Sequence, residues 1–332
     1  MILLFGIPSE TPLAMVAAAL DERGEKYVLI NQRDVHGNRI RVSSDGDRLG
    51  GELYTGELRL YLNEVDGVYL RPMDDRRLPE LAGEREQSAL RRRTIAFHEL
   101  LVQWTEAAEI TVINRYSRMG SNFSKPYQAQ LITRAGLATP DTLVSNDPAA
   151  VLAFREQHGE LIFKSISGER SIVKKLGADD LGRLGRIRHC PVQFQAWVPG
   201  QDIRVHTIGG KCFATAINSA GVDYRYAALR DGAAAELTAT TLPDEIAQRC
   251  LALSDALGLE FAGIDLRRDP DGRYVCFEVN PSPAFSYYES HTGQPIAAAV
   301  AARLAGMGPA RSSARRPASA GAAHDPGDTV AA

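Results

Sequence analysis

The chain has 332 residues, 44% of them apolar and 24% charged, with a formal net charge of −3. That length fits two or three domains or one large α/β unit, and a charge so close to neutral gives no general attraction for nucleic acid or a membrane. The four cysteines (190, 212, 250, 276) are isolated, without CxxC spacing, which argues against a zinc site or disulfide framework and fits a reducing cytoplasm.

The opening run MILLFGI is too short to span a membrane and lacks a basic flank, so it reads as a buried first strand. PLAMVAAALDERG reads as a helix ending at Gly24, and KYVLINQ as a second strand. LRLYLN and GVYLRPM follow around Val65-Asp66-Gly67. This βαβ start suggests an open α/β domain over residues 1–109. No GxGxxG follows the first strand, so a dinucleotide site is poorly supported. Residues 84–107 read as a long helix, with Leu90, Phe97, Leu101 and Trp104 facing a core. Arg91-Arg92-Arg93 fits a solvated helix face better than a phosphate patch.

A short strand, ITVIN (110–114), opens a second unit spanning 110–192. Lys125-Pro126 starts the helix PYQAQLITRAG. LATPDTLVS is extended, and Asn146-Asp147-Pro148 caps a helix at 148–158. ELIFKSI is a buried strand carrying Lys164; the loop Ser167-Gly168-Glu169-Arg170-Ser171 and SIVKKL follow. A third unit, 193–305, begins near PVQFQAWV and contains DIRVHTIGGKCFATAI, a hairpin around Gly209-Gly210. Helices at 243–257 and 294–304 flank its second hairpin. Residues 306–332 are Ala, Gly, Pro, Ser and Arg with almost no large apolar side chain, the composition of a disordered tail.

The richest stretch is FAGIDLRRDPDGRYVCFEVNPSP (261–283), two strands joined by a D-P-D-G turn. That turn places Arg268 opposite Arg273 and Asp265 opposite Cys276. Glu278 then lies diagonal to Asp265, with Asn280 two residues further on. Strand alternation puts Asp265, Glu278 and Asn280 on one face. Two carboxylates and an amide form a hard-oxygen site of the kind Mg²⁺ shares with phosphates. A polar, solvated hairpin face is the alternative.

Only six basic residues are lysines (26, 125, 164, 174, 175, 211), and Lys125 and Lys164 flank candidate phosphate-handling segments. A charge in the apolar strand LIFKSI is costly without a partner, and a nucleotide phosphate would be one; a packed stem with a solvated head is the alternative. The stretch Gln193 to Asp202 links the second and third units and could offer backbone groups to an adenine edge. Asp202-Ile203-Arg204 and Asp223-Tyr224-Arg225 each set an Arg beside an acid, suited either to clamping an anion or to a local ion pair. His206 and His291 have no ligand-spaced partners and read as structural. No nucleophilic Ser/His/Asp or Cys/His arrangement stands out.

In order, these segments resemble the ATP-grasp ligases, especially the RimK-like branch. Lys125 with GLATPDTLV is similar to that family's first ATP lysine and its following segment, and Lys164 to the second. VQFQAWVPGQDIRV resembles the adenine-contacting hinge, which implies Gln195, Ala196, Trp197 and Val198 at the base and Asp202 at the ribose. AGID and FEVNPSP resemble the metal-binding segments, which implies Asp265, Glu278 and Asn280 as ligands. A narrower likeness is to the graspetide or microviridin-type ligases that cross-link ribosomal peptides, carried by INRYSRMGSNFSKPYQAQ and NSAGVDYRYA. Two departures stand out: SGERS is poorer in Gly than the usual phosphate lid, and Ala284 replaces a usual Gly.

The resemblance implies an ATP-grasp fold, with an N-terminal pre-ATP-grasp α/β domain followed by two α+β units around ATP. It implies ATP and one or two Mg²⁺ as cofactors, with Mn²⁺ an alternative, and a cytoplasmic, oligomeric enzyme. Arg204 and Arg225 would steady an acyl phosphate formed on a substrate carboxylate, which an amine or hydroxyl then attacks. The expected substrate is a peptide or protein carboxylate. Alternatives are a small amino-acid or dipeptide ligase and an ATP-binding regulator without ligase activity.

Overall fold

A computed structural model describes residues 1–46, 48–166, 173–218 and 235–307. The first sheet is parallel, with strands β1 (Ile2–Gly6), β2 (Tyr27–Asn31), β6 (Gly67–Arg71) and β7 (Thr111–Ile113) in the order β2-β1-β6-β7. β1 is buried along its whole length, as a central parallel strand covered on both faces must be. The helix Thr11–Glu22 covers one face through Leu13, Val16 and Leu20. The helix Ala89–Ala107 covers the other through Phe97, Leu101 and Trp104. Ser88 caps the latter helix by accepting the Arg91 N–H at 3.1 Å, so it starts five residues later than the sequence pattern suggests.

Two features of this region depart from expectation. LRLYLN and GVYLRPM do not share a sheet. Leu58–Tyr61 (β5) pairs with Arg48–Thr55 (β4), which pairs with Arg39–Asp45 (β3), in a separate antiparallel sheet. The strand in ITVIN pairs with β6 in the first sheet and does not open the second. Short, half-polar strands such as β3 carry too little apolar alternation to be read alone. In the arginine run Arg91 is half-buried and donates to the Leu81 carbonyl at 2.6 Å, whereas Arg92 and Arg93 are exposed, Arg93 donating to the His36 carbonyl at 2.9 Å.

The second sheet is antiparallel, built from β8 (Thr142–Ser145), β9 (Leu161–Ser165), β10 (Lys174–Lys175) and β11 (Val192–Ala196) in the order β10-β9-β11-β8. Leu143, Phe163 and Phe194 pack on one face with Val151 and Phe154 of the helix Pro148–His158. The opposite face carries Thr142, Val144, Lys164, Gln193 and Gln195 by alternation.

The third sheet has five antiparallel strands: β12 (Gln201–Ile208), β13 (Lys211–Asn218), β14 (Glu236–Thr240), β15 (Phe261–Arg268) and β16 (Tyr274–Asn280), in the order β14-β13-β12-β15-β16. Ile203, Val205, Ile264 and Leu266 pack against Ile132 of the helix Lys125–Arg134 and Cys250 and Leu253 of the helix Asp244–Ala256. The first and third sheets share one apolar cluster, in which the helix Ile296–Leu304 lies between Leu4, Leu13 and Leu20 on one side and Ile208 and Phe261 on the other. Asn114 links them further. Its amide donates to the Phe261 and Pro281 carbonyls, both at 2.6 Å, and accepts the Glu260 and Phe261 N–H groups at 2.8 and 3.1 Å. Among the described residues no helix is long and apolar enough to cross a membrane.

Candidate functional site

One face of the third sheet carries three cross-strand rows. Asp202 stands opposite Arg267. Arg204 stands opposite Asp265, which stands opposite Glu278. His206 stands opposite Gly263, which stands opposite Asn280. The alternate residues of these strands fill the core on the other face, so the polar face is enforced by burial of its complement.

The hairpin register is not the one counted from the turn. Asp269 and Arg273 close a loop of Pro270, Asp271 and Gly272, with Gly272 at φ 82°, so Arg268 pairs with Tyr274. A bulge between Asp265 and Leu266 then inserts Phe277. Cys276 consequently pairs with Leu266 and faces the core, and Glu278 lies directly opposite Asp265 rather than diagonal to it. An extra residue on one strand restores alternation after the shift. The three oxygen-bearing side chains thus share a face, by a different route from the one read in the sequence.

Each carboxylate meets a cation. Arg204 Nη1 donates to Asp265 Oδ1 at 2.7 Å, and Lys125 Nζ donates to Glu278 Oε2 at 2.8 Å. The carboxylates are the more open partners: Asp265 and Glu278 are 27% and 24% exposed, against 7% for Arg204 and 10% for Lys125. Asn280 Oδ1 accepts the Ser282 N–H at 2.9 Å. Gly263 leaves room for the Arg204 guanidinium. A Cβ there would overlap Nη2, lie 2.7 Å from Cζ and meet Pro283 Cβ at 2.8 Å.

Lys125 reaches this face because its helix lies along the open edge of β16. Gln128 clamps that edge, donating to the Val279 carbonyl and accepting its N–H, both at 2.9 Å. The Cys276 N–H donates to the Ala138 carbonyl at 2.7 Å. An exposed strand edge is thereby paired and capped.

Between this edge and the polar face of the second sheet lies a cavity of about 320 Å³, lined in part by Lys125, Thr142, Gln193, Gln195 and Phe277. Gln195 Nε2 donates to Thr142 Oγ1 at 3.0 Å. The Oε1 atoms of Gln193 and Gln195 are buried without a hydrogen-bond partner among the described residues. Unpaired buried acceptors are costly, and a ligand bringing N–H donors would satisfy them. Lys164 is buried on the same face, opposite Gln193.

The segment from Ala196 to Asp202, expected to meet the nucleotide, is engaged with protein groups. The Ala196 and Trp197 N–H groups donate to the Asp141 and Glu160 carbonyls at 2.9 and 2.8 Å, so those donors serve the backbone. Arg267 Nη1 donates to the Val198 carbonyl at 2.8 Å, and Arg267 Nε to Asp202 Oδ1 at 2.7 Å. Arg225 and the loop Gly168 to Ser171 lie outside the described residues.

His206 is fully buried beneath the site with neither ring nitrogen hydrogen-bonded among the described residues. Burial, reinforced by Arg204, holds its pKa well below 6.5. Burial likewise drives the Cys276 thiol well above its ordinary range. Among the described residues no three His, Cys, Asp or Glu side chains gather to hold a metal ion. The Asp265 and Glu278 carboxylates and the Asn280 amide share one face, and hard oxygens of this kind could hold Mg²⁺ with phosphate oxygens completing the shell.

Arg267, Gln128 and Asn114 were not singled out in the sequence, and Gln193 only as part of a segment offering backbone groups, not for its side chain. Arg267 carried a legible signal, since it stands two residues from Asp265 and must share its face. Nothing in the spacing marks Gln128 or Asn114.

Two facing sheets with a polar cleft between them are the ATP-grasp arrangement. The sequence profile of the RimK-like ATP-grasp domain matches residues 124–304, more than half of the chain, and the chain belongs to that family. The "Probable alpha-L-glutamate ligase" of Histophilus somni (strain 2336) is 30% identical over 180 residues, 51% of this chain and 58% of that protein. The chain therefore spans little more than half the length of that curated relative. The structure of the ATP-grasp ligase PsnB with a phosphomimetic variant of its minimal precursor, Mg and ADP matches with a TM-score of 0.74 and 26% identity, over 92% of this chain and 97% of that one. The macrocyclase MdnC of Microcystis aeruginosa MRC, bound with precursor peptide MdnA, shares the fold, with a TM-score of 0.76 and 23% identity over 92% and 99% of the two chains.

Proposed function

We propose that this protein is an ATP-dependent ligase that joins a peptide or protein carboxylate to an amine or hydroxyl, releasing ADP and phosphate. The observation that carries this reading is the single face on which Lys125, Arg204, Asp265, Glu278 and Asn280 converge, beside a cavity with two unsatisfied glutamine acceptors. The oxygen donors fit Mg²⁺, whose bound charge would offset that of the ATP phosphates. The glutamine acceptors fit the amino edge of a purine.

In this reading the second and third sheets are the jaws around ATP, and the first sheet, which includes β7, shapes the acceptor side. Lys125 and Lys164 hold phosphates. They would exchange their present contacts for phosphate oxygens as the nucleotide enters, since a charge-assisted contact is kept in either state. A substrate carboxylate oxygen attacks the γ-phosphorus and ADP departs. The amine or hydroxyl then attacks the acyl carbon, phosphate leaves, and the proton passes to solvent or phosphate. Arg204, and Arg225 by resemblance, neutralise charge on the acyl oxygens. Phosphoryl transfer asks mainly for positioning and charge neutralisation, which this set provides.

The peptide reading is supported by the likeness to PsnB, whose structure holds a precursor. A second reading, ligation of a small amino acid, is favoured by the likeness to the probable alpha-L-glutamate ligase. The four described cysteines are free thiols, which fits a cytoplasmic setting. The deciding experiment is mass spectrometry of candidate peptides after incubation with enzyme, ATP and Mg²⁺. Loss of one water per bond marks an internal cross-link, and a residue-sized gain marks ligation of an amino acid. ADP release stimulated by small amino acids, and by no peptide, would overturn the peptide reading.

A further inference from the structure

We propose that Arg267 is a positioning residue for the nucleoside end of the ATP site, holding the Asp202 carboxylate and the Val198 carbonyl where ribose and base meet the protein. This rests on the ATP reading above. Arg267 is buried on the site face, two residues along β15 from Asp265. Its Nε and Nη2 both approach Asp202 Oδ1 at 2.7 Å, and Nη1 donates to the Val198 carbonyl at 2.8 Å. Its guanidinium also lies 4.8 Å from the Trp197 ring centre and 5.3 Å from that of Phe277. Every one of these partners belongs to the hinge or to the cavity wall.

A pair that served only to join β12 to β15 would be complete with Asp202. The third N–H goes instead to Val198, in the turn between β11 and β12. That turn runs hard against β15: a Cβ on Gly200, at φ 134°, would lie 2.8 Å from the Arg268 carbonyl carbon. The planar fork therefore sets two things at once, the orientation of a carboxylate and the path of a carbonyl. Trp197 adds a link to the second sheet, because Lys175 of β10 stands 4.2 Å from the same ring. Ribose hydroxyls donating to an oriented, ionised carboxylate make charge-assisted bonds. Loss of that orientation should remove discrimination for the hydroxyls specifically.

The test compares the binding of ATP and 2′,3′-dideoxy-ATP, with Mg²⁺, to the full chain as wild type, R267M, R267K and D202N. The wild type is expected to prefer ATP by about tenfold or more, the size of a charge-assisted hydrogen bond. R267M is expected to weaken ATP about tenfold and dideoxy-ATP by no more than about threefold, so that the preference collapses, as it also should in D202N. In turnover the R267M loss should fall on KM for ATP rather than on kcat, and R267K should recover part of it. Equal weakening of both nucleotides in R267M and R267K, or a wild type indifferent to the hydroxyls, would overturn the proposal while leaving the ATP reading intact. A wild type that binds no ATP would overturn both. If R267M does not fold, R267K and D202N give the same comparison.

Discussion

The Lys125 ammonium stands 2.8 Å from the Glu278 carboxylate, bridging 153 positions of sequence. The helix start and the last strand of the sheet are thus joined at the point where phosphate and metal charges would meet. Glu278→Ala should lower substrate-stimulated ADP release by about 100-fold, the scale of removing one preorganised electrostatic contact. It also strands a nearly buried cation, so a modest fall in melting temperature should accompany it. Near-normal ADP release at saturating ATP and Mg²⁺ would remove Glu278 from the site.

Gly263→Ala tests the space beneath Arg204. The new methyl would lie 2.7 Å from Arg204 Cζ and 2.8 Å from Pro283 Cβ. Overpacking of this kind costs about 1–3 kcal/mol. Arg204 must move off Asp265 to relieve it. We expect both a lower melting temperature and a large drop in ADP release. A variant as stable and active as the wild type would show that Arg204 is free to shift without consequence.

His206 makes the fold acid-sensitive. Its folded pKa lies well below 6.5 because of burial and then Arg204, whereas in the unfolded chain it titrates near 6.5. The unfolded state therefore binds the extra proton below that pH. Stability is full above pH 6.5 and declines as pH falls below it, by up to about 1.4 kcal/mol per unit. Denaturant titrations of wild type and His206→Leu across pH 5 to 8 should show the slope shrinking in the variant.

The thiols should separate cleanly by reactivity. Burial pushes Cys212 up to about 11 and Cys250 up to about 12, and holds Cys276 well above its ordinary range, whereas Cys190 is exposed. Alkylation of the native protein at pH 8 should label Cys190 first and the other three only on unfolding, as peptide mapping would show. The same raised values predict that stability is full below about pH 9 and falls as the pH rises above it, since the unfolded chain loses those protons first.

Much of the third sheet was legible. Alternation in FAGIDLRR and FEVN put Asp265, Glu278 and Asn280 on one face, and the apolar complement in Ile264 and Leu266 made that face compulsory. The register was not legible, because the Phe277 bulge is a compromise between the turn and the packing of Cys276 under the sheet. Strands β3 and β4 were missed because half of their side chains are solvated and their turns carry little signal. The partners of the Ala196 and Trp197 N–H groups, the Asp141 and Glu160 carbonyls, were not legible, since they come from segments far off in sequence. Long-range clamps such as Gln128 on Val279 leave no local trace at all.

The four hydrogen bonds of Asn114 and the shared cluster around the helix Ile296–Leu304 bear on how this chain could be recombined with its relatives. The first sheet is welded to the third at both ends of the chain, so the natural module is discontinuous. A graft that exchanged only the leading residues would part Leu4 and Leu13 from Val300 and Leu304 and orphan the Phe261 and Pro281 carbonyls. A chimera that leaves Asn114 with Phe261 and Pro281 should exchange residues 1–113 together with 296–304, so that Leu4 and Leu13 stay with Val300 and Leu304.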